Sequence, residues 1–569
     1  MALNVDEVLE LAYIKFEEKK YDQALELFIA VYNAGYEKKA ILQNLYDCYI
    51  SGNETVFRET FGHRNGKKID LYDECNLDFY PYKDGEYYIY NRIEEKFEGV
   101  FSSEKLEQTK QEQILDVLEF TPITLSFDGT WEKFFSILTS ATSRKIYTIC
   151  SNRGRIISYF KIPEIKKYMD NVVIFQNLEE YQKYFHEHTA EYLPRIVFAS
   201  ENEAEKINAI LDKEHQYRLT EEGRNRDNIL LTIGIPTHDR GNLLLKRLDN
   251  LLQMPYDAEI EIAISKNGTH YYQKEYETVD KLPDTRINYV GYDKEMYPCE
   301  NWANLMSISH GKFVLMVSDE DDVMIEALEH YLNLLFHNEG IGMVCAKTKF
   351  QYAHIEQKRY YKKGVDALEE GFLTNNYLSG QIYNRQFFLE QNIVEWNFKY
   401  RNNKFYYLYP HMWWQVLLCL KGDLAIDDIC LINEGTSCWK EETKKYAMEK
   451  DIEDAHGSAE ENENIIGIVS TYESRMEQFC GLIEMIKDFK EFDKEIKVET
   501  LIMAVDKNGY LMTMVCNAFG YKKEELDLWI EKLFDKAIDT IEELNLDKEL
   551  RKNALKRLLN SLNYVSLSE

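Results

Sequence analysis

The chain has 569 residues, too many for one hydrophobic core, so three or four domains are expected. Hydrophobic residues make up 45% and charged residues 29%, an ordinary globular composition that leaves no case for a wholly disordered chain. With 68 basic against 99 acidic residues the formal charge is −31, which repels phosphate backbones and anionic headgroups and argues against nucleic-acid binding as the main function.

The ten cysteines are scattered, with no Cys-x-x-Cys pair, so neither a zinc ribbon nor a disulfide scaffold is expected. The start of the chain is charged and helical in pattern, without the basic-then-apolar order of a signal peptide, and no window approaches the length of a spanning segment. These features predict a cytoplasmic protein, at most peripheral at the inner membrane face.

Residues 6–50 predict two packed helices, with Ala12, Phe16, Tyr21, Ala24, Phe28 and Val31 at helical spacing and Gly35 as a stop. The stretch EEKKYDQALELFIAVYNAGY resembles a single tetratricopeptide repeat. One repeat cannot bury its own face, so 1–60 reads either as part of an array or as a helix pair packed on another domain. Residues 61–117 are rich in Tyr and acid, and the alternation in EYYIYNRI suggests strands. Residues 118–222 alternate apolar runs (KIYTIC, NVVIF, RIVFAS) with amphipathic stretches, which predicts a small α/β domain of structural or docking type. It has no Gly-rich phosphate loop. The polar stretch 221–228 breaks the pattern and is expected as a linker.

The chemistry is expected in 228–440. An apolar strand from Ile229 to Ile235 runs into Pro236-Thr237-His238-Asp239-Arg240-Gly241. A helix follows with Leu243, Leu244, Leu248, Leu251 and Leu252 on one face. Ligands of α/β sheets sit at the C-terminal ends of such strands, beside the helix N-terminus. A second strand, with Ile260, Ile262 and Ile264 alternating, ends in Ser265-Lys266-Asn267-Gly268-Thr269, which is turn chemistry. RINYV gives a third strand. A helix at about 300–309 carries Asn301, Trp302 and Asn304, and the strand KFVLMV then meets Ser318-Asp319-Glu320-Asp321-Asp322. Acidic residues at the end of an apolar strand are costly unless neutralised. In an extended segment Asp319 and Asp321 point the same way, offering two hard oxygen donors to Mg²⁺ or Mn²⁺. A solvated acidic turn that caps the next helix is the alternative.

The order of these pieces, strand–PT-x-D-R–helix, x-N-G-T, E-N-W-x-x-N, then G-K-F-V-L-x-x-S-D-x-D-D, resembles the family 2 glycosyltransferases. The resemblance covers about 228–440. It implies a GT-A fold, a mixed, mostly parallel sheet flanked by helices, and an Asp-x-Asp motif that holds a divalent metal on the donor diphosphate. It implies donor-nucleotide contacts from Pro236, Thr237, Arg240, Asn267, Asn301 and Asp319, and metal contacts from Asp319 and Asp321. Lys266 departs from the Asp that many members use for the base or ribose; a pyrimidine diphosphate is the default. Ser379 and Gly380 in NYLSGQIYNRQFF match a turn near the donor sugar or acceptor, or else form a tight lead-in to a strand.

Inverting members use a carboxylate base downstream of the metal motif, and His411 stands there instead. It suits a general base near neutral pH, a metal or supporting ligand, or a hydrogen-bonded core position. Glu395, Asp427 and Asp428 are alternative bases. Trp413, Trp414 and Trp439 are candidates for stacking on a sugar or for core packing.

The expected activity is metal-dependent, inverting transfer from a nucleotide-diphospho-sugar to a glycan, lipid-linked or protein acceptor, as in polysaccharide biosynthesis. A non-catalytic GT-A scaffold that binds carbohydrate or protein is the alternative. A nucleotidyltransferase is disfavoured because no Gly-rich loop with a following basic residue is present. Residues 441–569, charged and amphipathic, predict a helical domain or oligomerisation element.

Overall fold

The computed structural model describes residues 4–54, 71–103, 121–126, 134–135, 137–138, 145–268, 271–349, 355–371, 377–435, 471–490, 492–519 and 521–565. Two compact units make up the chain, Met1–Tyr217 and Arg218–Glu569. The polar stretch expected as a linker belongs to the second unit. Its Arg224 and the preceding Arg218 explain why: Arg218 Nη1 donates to Asp257 Oδ1 at 3.3 Å and Arg224 Nη1 to the Asp257 carbonyl at 2.8 Å.

In the first unit, helices Val5–Glu17, Tyr21–Asn33 and Lys38–Tyr49 precede an antiparallel sheet of β1 (Leu77–Lys83), β2 (Glu86–Asn91) and β3 (Lys96–Ser102). The tetratricopeptide-like face of Ala12, Ala24 and Phe28 shares a core with Tyr80 and Tyr90 of this sheet. Tyr32 and Tyr90 join hydroxyls at 3.0 Å. A sheet therefore covers the face that a second repeat would cover in an array. Strands β4 (Ile123–Ser126), β5 (Ile146–Ile149), β6 (Val172–Phe175) and β7 (Ile196–Phe198) form a parallel sheet in the order β6-β5-β4-β7, the small α/β element that the sequence suggests.

The second unit is built on a mixed sheet. Its strands are β8 (Leu231–Thr237), β9 (Ile260–Lys266), β10 (Ile287–Gly291), β11 (Phe313–Met316), β12 (Asp322–Val323), β13 (Ile341–Thr348), β14 (Arg359–Tyr361), β15 (Gln381–Asn384) and β16 (Asp423–Asn433). The order is β10-β9-β8-β11-β15-β13-β16-β12, with β14 also on β16. Strands β10, β9, β8 and β11 run parallel, and β15 is antiparallel to both β11 and β13. Every residue of β8 and of β11 is buried, as their continuous apolar runs require of strands covered on both faces. From β8 the chain moves outward to β9 and β10, then returns to lay β11 on the other flank of β8. That reversal puts a topological switch point between β8 and β11.

Helices Tyr472–Asp488, Lys494–Phe519, Lys523–Glu543 and Lys548–Val565 follow. They share one hydrophobic core with the sheet-flanking helices. Trp413 meets Phe489 at 6.0 Å and Phe492 at 5.8 Å, ring centre to ring centre. The region expected as a separate helical domain is thus packed into the unit that carries the mixed sheet. Among the described residues no helix is long and apolar enough to cross a membrane, and the cysteines are free thiols, most of them buried.

Candidate functional site at the switch between β8 and β11

The turns that leave β8 and β11 meet at one side chain. Arg240, which precedes helix Gly241–Leu251, directs Nη1 to Asp319 Oδ1 at 3.0 Å and to Glu320 Oε2 at 3.4 Å. Burial disfavours its charge, but the Asp319 and Glu320 carboxylates outweigh that and hold the guanidinium above its ordinary range. A second arginine, Arg247 on that helix, pairs with Asp322 Oδ1 at 2.6 Å. The four acidic residues after β11 are therefore partly offset by two arginines of the chain itself.

The extended geometry expected for Asp319 and Asp321 is replaced by a turn. Strand β11 ends at Met316, and Asp321 N–H donates back to the Ser318 carbonyl at 3.0 Å. The two aspartates consequently have separate partners. Asp321 is 1% exposed and is held by its own chain. Its Oδ2 accepts from the Tyr377 hydroxyl and the Ser379 hydroxyl, both at 2.5 Å, and its Oδ1 accepts from Gly435 N–H at 2.9 Å. Ser379 Oγ also accepts from Ser318 N–H at 2.8 Å, so one serine braces both ends of the acidic turn. Burial raises the Asp321 carboxyl, and the three donors only partly offset it. Burial likewise raises Glu320, with its carboxylate neighbours adding to the effect against Arg240 and Arg247. Gly435 is required here: a Cβ at that position would lie 1.9 Å from the Glu320 carbonyl oxygen. Gly380, at φ +88°, turns the chain into β15 and donates its N–H to the Met316 carbonyl at 3.1 Å.

The remaining sequence candidates divide between the site and its frame. Thr237, at the end of β8, shares a 2.8 Å hydrogen bond with the Tyr276 hydroxyl, next to Pro236 in the strand. Asn267 spends its amide on a neighbouring loop: Oδ1 accepts from Met296 N–H at 2.7 Å and Gly268 N–H at 2.9 Å, and Nδ2 donates to the Met296 carbonyl at 2.8 Å. Asn301 ties helix Pro298–Ile308 to β9, accepting from Ser265 Oγ at 2.6 Å and donating to the Ser265 carbonyl at 3.2 Å. Both asparagines were expected at the nucleotide, and both are engaged with protein.

His411 is buried on the first turn of helix Pro410–Lys421, edge-on to Trp302 at 5.8 Å. Trp413, expected in a sugar pocket, is fully buried between Trp396, Phe489 and Phe492, so it fills the core instead. Trp414 is also fully buried. Trp439 lies outside the described residues. Among the alternative bases, Asp427 is taken by His330 Nε2 at 2.9 Å and Lys358 Nζ at 3.3 Å, and Glu395 is exposed on helix Ile393–Tyr400. Tyr276, Tyr377, Arg247 and Gly435 belong to the site and were missed. For Tyr377 alone a signal was at hand, since it stands two residues before the flagged Ser379.

Among the described residues no group of three or more His, Cys, Asp or Glu side chains is gathered for a metal. The donor chemistry nevertheless suits a hard divalent cation. Asp319 gives one oxygen to Arg240, and Asp321 accepts three donors, whereas a carboxylate offers about four lone-pair positions. Each keeps acceptor capacity, and Mg²⁺ typically needs only one or two protein carboxylates beside water and substrate phosphates.

No family model matches the chain, and no curated protein matches it. Solved structures similar to it include S. aureus TarS 1-349, at 11% identity and a TM-score of 0.31 over 54% of this chain and 92% of that one. The same fragment in complex with UDP-GlcNAc matches at 12% and 0.31, over 54% and 92%. The mannosyltransferase PcManGT from Pyrobaculum calidifontis, in complex with GDP-Man and Mn²⁺, matches at 11% and 0.32 over 64% and 98%. At TM-scores this low the likeness carries no inference about the chemistry of this chain.

Proposed function

We propose that the Arg218–Glu569 unit is a GT-A type glycosyltransferase that takes its sugar from a nucleotide-diphospho-sugar. The observation that carries this reading is the Arg240–Asp319 contact at the switch point between β8 and β11. Nucleotide ligands of open α/β sheets bind at such a point, outside the carboxyl ends of the strands. The order of motifs along 231–321 supports the same reading.

Asp319 and Asp321 are the residues that would hold a divalent cation, which supplies charge neutralisation at the leaving diphosphate when bound. Arg240 is free of any need to deprotonate and offers several N–H donors, so it can turn from its carboxylates to a phosphate. Asp321 is buried and Glu320 half-buried beside Arg240 at the end of β11. His411 is the proposed base for the acceptor hydroxyl, on a helix N-terminal turn beside Trp302. Attack from the face opposite the departing diphosphate inverts the anomeric carbon. The acceptor proposed is a glycan, a lipid-linked saccharide or a protein.

The engagement of the acidic turn by protein donors favours a second reading, a non-catalytic scaffold that binds carbohydrate or protein. Release of nucleoside diphosphate from UDP- and GDP-sugars with Mn²⁺ separates the two. Turnover, even as slow donor hydrolysis, supports the transferase. Tight donor binding with no release over many hours supports the scaffold.

A further inference from the structure

Resting on the donor-binding reading, we infer that Tyr276 is a positioning residue that sets the Arg240 guanidinium at the donor diphosphate. In the turn after β8, Asp239 sits at φ +53°, a left-handed conformation costly for a residue with a Cβ. Two hydrogen bonds to this turn come from the segment before and within helix Gln273–Asp280. Tyr271 N–H donates to Asp239 Oδ1 at 3.0 Å. The Tyr276 hydroxyl oxygen accepts from Arg240 N–H at 3.0 Å, and the same hydroxyl shares a hydrogen bond with Thr237 Oγ1 at 2.8 Å. Tyr276 is 1% exposed and Lys266 Nζ lies 5.6 Å from its ring centre, so the ring is fixed on both counts. One hydroxyl thus joins the last residue of β8 to the backbone of the residue whose side chain spans to Asp319. Nothing links Tyr276 to a ligand directly; its effect passes through Arg240.

The test is a double-mutant cycle of Tyr276→Phe and Arg240→Ala, read by calorimetric binding of UDP, GDP, ADP and CDP, each with Mn²⁺. Phe keeps the ring and its packing, and a melting curve for each variant controls for folding. Tyr276→Phe is expected to weaken the nucleotide that binds wild type by about fivefold, and to do nothing further once Arg240 is Ala. Unchanged binding in Tyr276→Phe overturns the inference, as does a fivefold loss that persists on the Arg240→Ala background. If no nucleotide binds the folded wild type, the donor-binding reading itself falls and takes the inference with it.

Discussion

Arg240 and Asp319 are brought together at 3.0 Å by the sheet, each standing just past the C-terminal end of one of two adjacent parallel strands. The contact is 79 residues long in sequence and one strand wide in space. It joins Arg240 to the acidic turn at the switch point. Arg240→Ala is expected to weaken nucleoside diphosphate binding by about 10- to 100-fold, the worth of one or two charge-assisted hydrogen bonds. Arg240→Lys should recover only part of it, since an ammonium lacks the planar fork. Isothermal titration on the three proteins checks this. Equal affinity in all three contradicts the role given to Arg240.

Asp321 should show its burial as a pH dependence. Its carboxyl lies above the usual value in the folded chain, chiefly through burial, with Ser379, Tyr377 and Gly435 opposing. A carboxyl raised on folding adds stability that is fully present below its unfolded pKa of about 4 and is lost as pH rises through the folded value. Asn does not titrate and serves as reference. In metal-free buffer, the melting advantage of wild type over Asp321→Asn is therefore expected to be largest near pH 4 and to shrink towards pH 7. An advantage that grows with pH contradicts this assignment.

Trp413→Ala is expected to cost about 3–5 kcal/mol of stability by opening a cavity against Phe489 and Phe492. A sugar-stacking role would give the opposite pattern, a selective loss of acceptor saturation with the melting point intact. Thermal melts and acceptor kinetics on one preparation discriminate the two.

Gly435→Ala puts a Cβ against the Glu320 carbonyl oxygen and must push the Gly435 N–H off Asp321. It should lower stability more than Ser379→Ala does. The two effects should not add, since both act on the Asp321 carboxylate. Additive losses in the double variant would show that the clamp is not shared.

Much of this was legible in the sequence. The apolar runs of β8, β9 and β11 identify buried strands because length and continuity suffice for that. The placing of Asp319 and Asp321 just past the end of β11 was legible in the same way. Their joint orientation did not follow, because strand parity holds only while the chain stays extended, and the chain turns at Ser318. Partners distant in sequence were the other limit. Tyr377 and Gly435 reach Asp321 from 56 and 114 residues away; the neighbouring Ser379 marks Tyr377, and nothing local marks Gly435. Trp413 stayed open between sugar stacking and core packing because the helices that bury it come later in the chain. Asn267, just past β9, and Asn301, on helix Pro298–Ile308, show that polar residues near strand ends also tie neighbouring elements together.

The most direct test of the account is the melting temperature of wild type and Asp319→Asn with saturating UDP or GDP and Mn²⁺. Ligand at about a hundred times its dissociation constant stabilises a fold by about 2.7 kcal/mol. The account predicts a clear upward shift in wild type with one of the two nucleotides, and little or none in Asp319→Asn. No shift in wild type, or an equal shift in both proteins, would contradict donor binding at the Arg240–Asp319 junction.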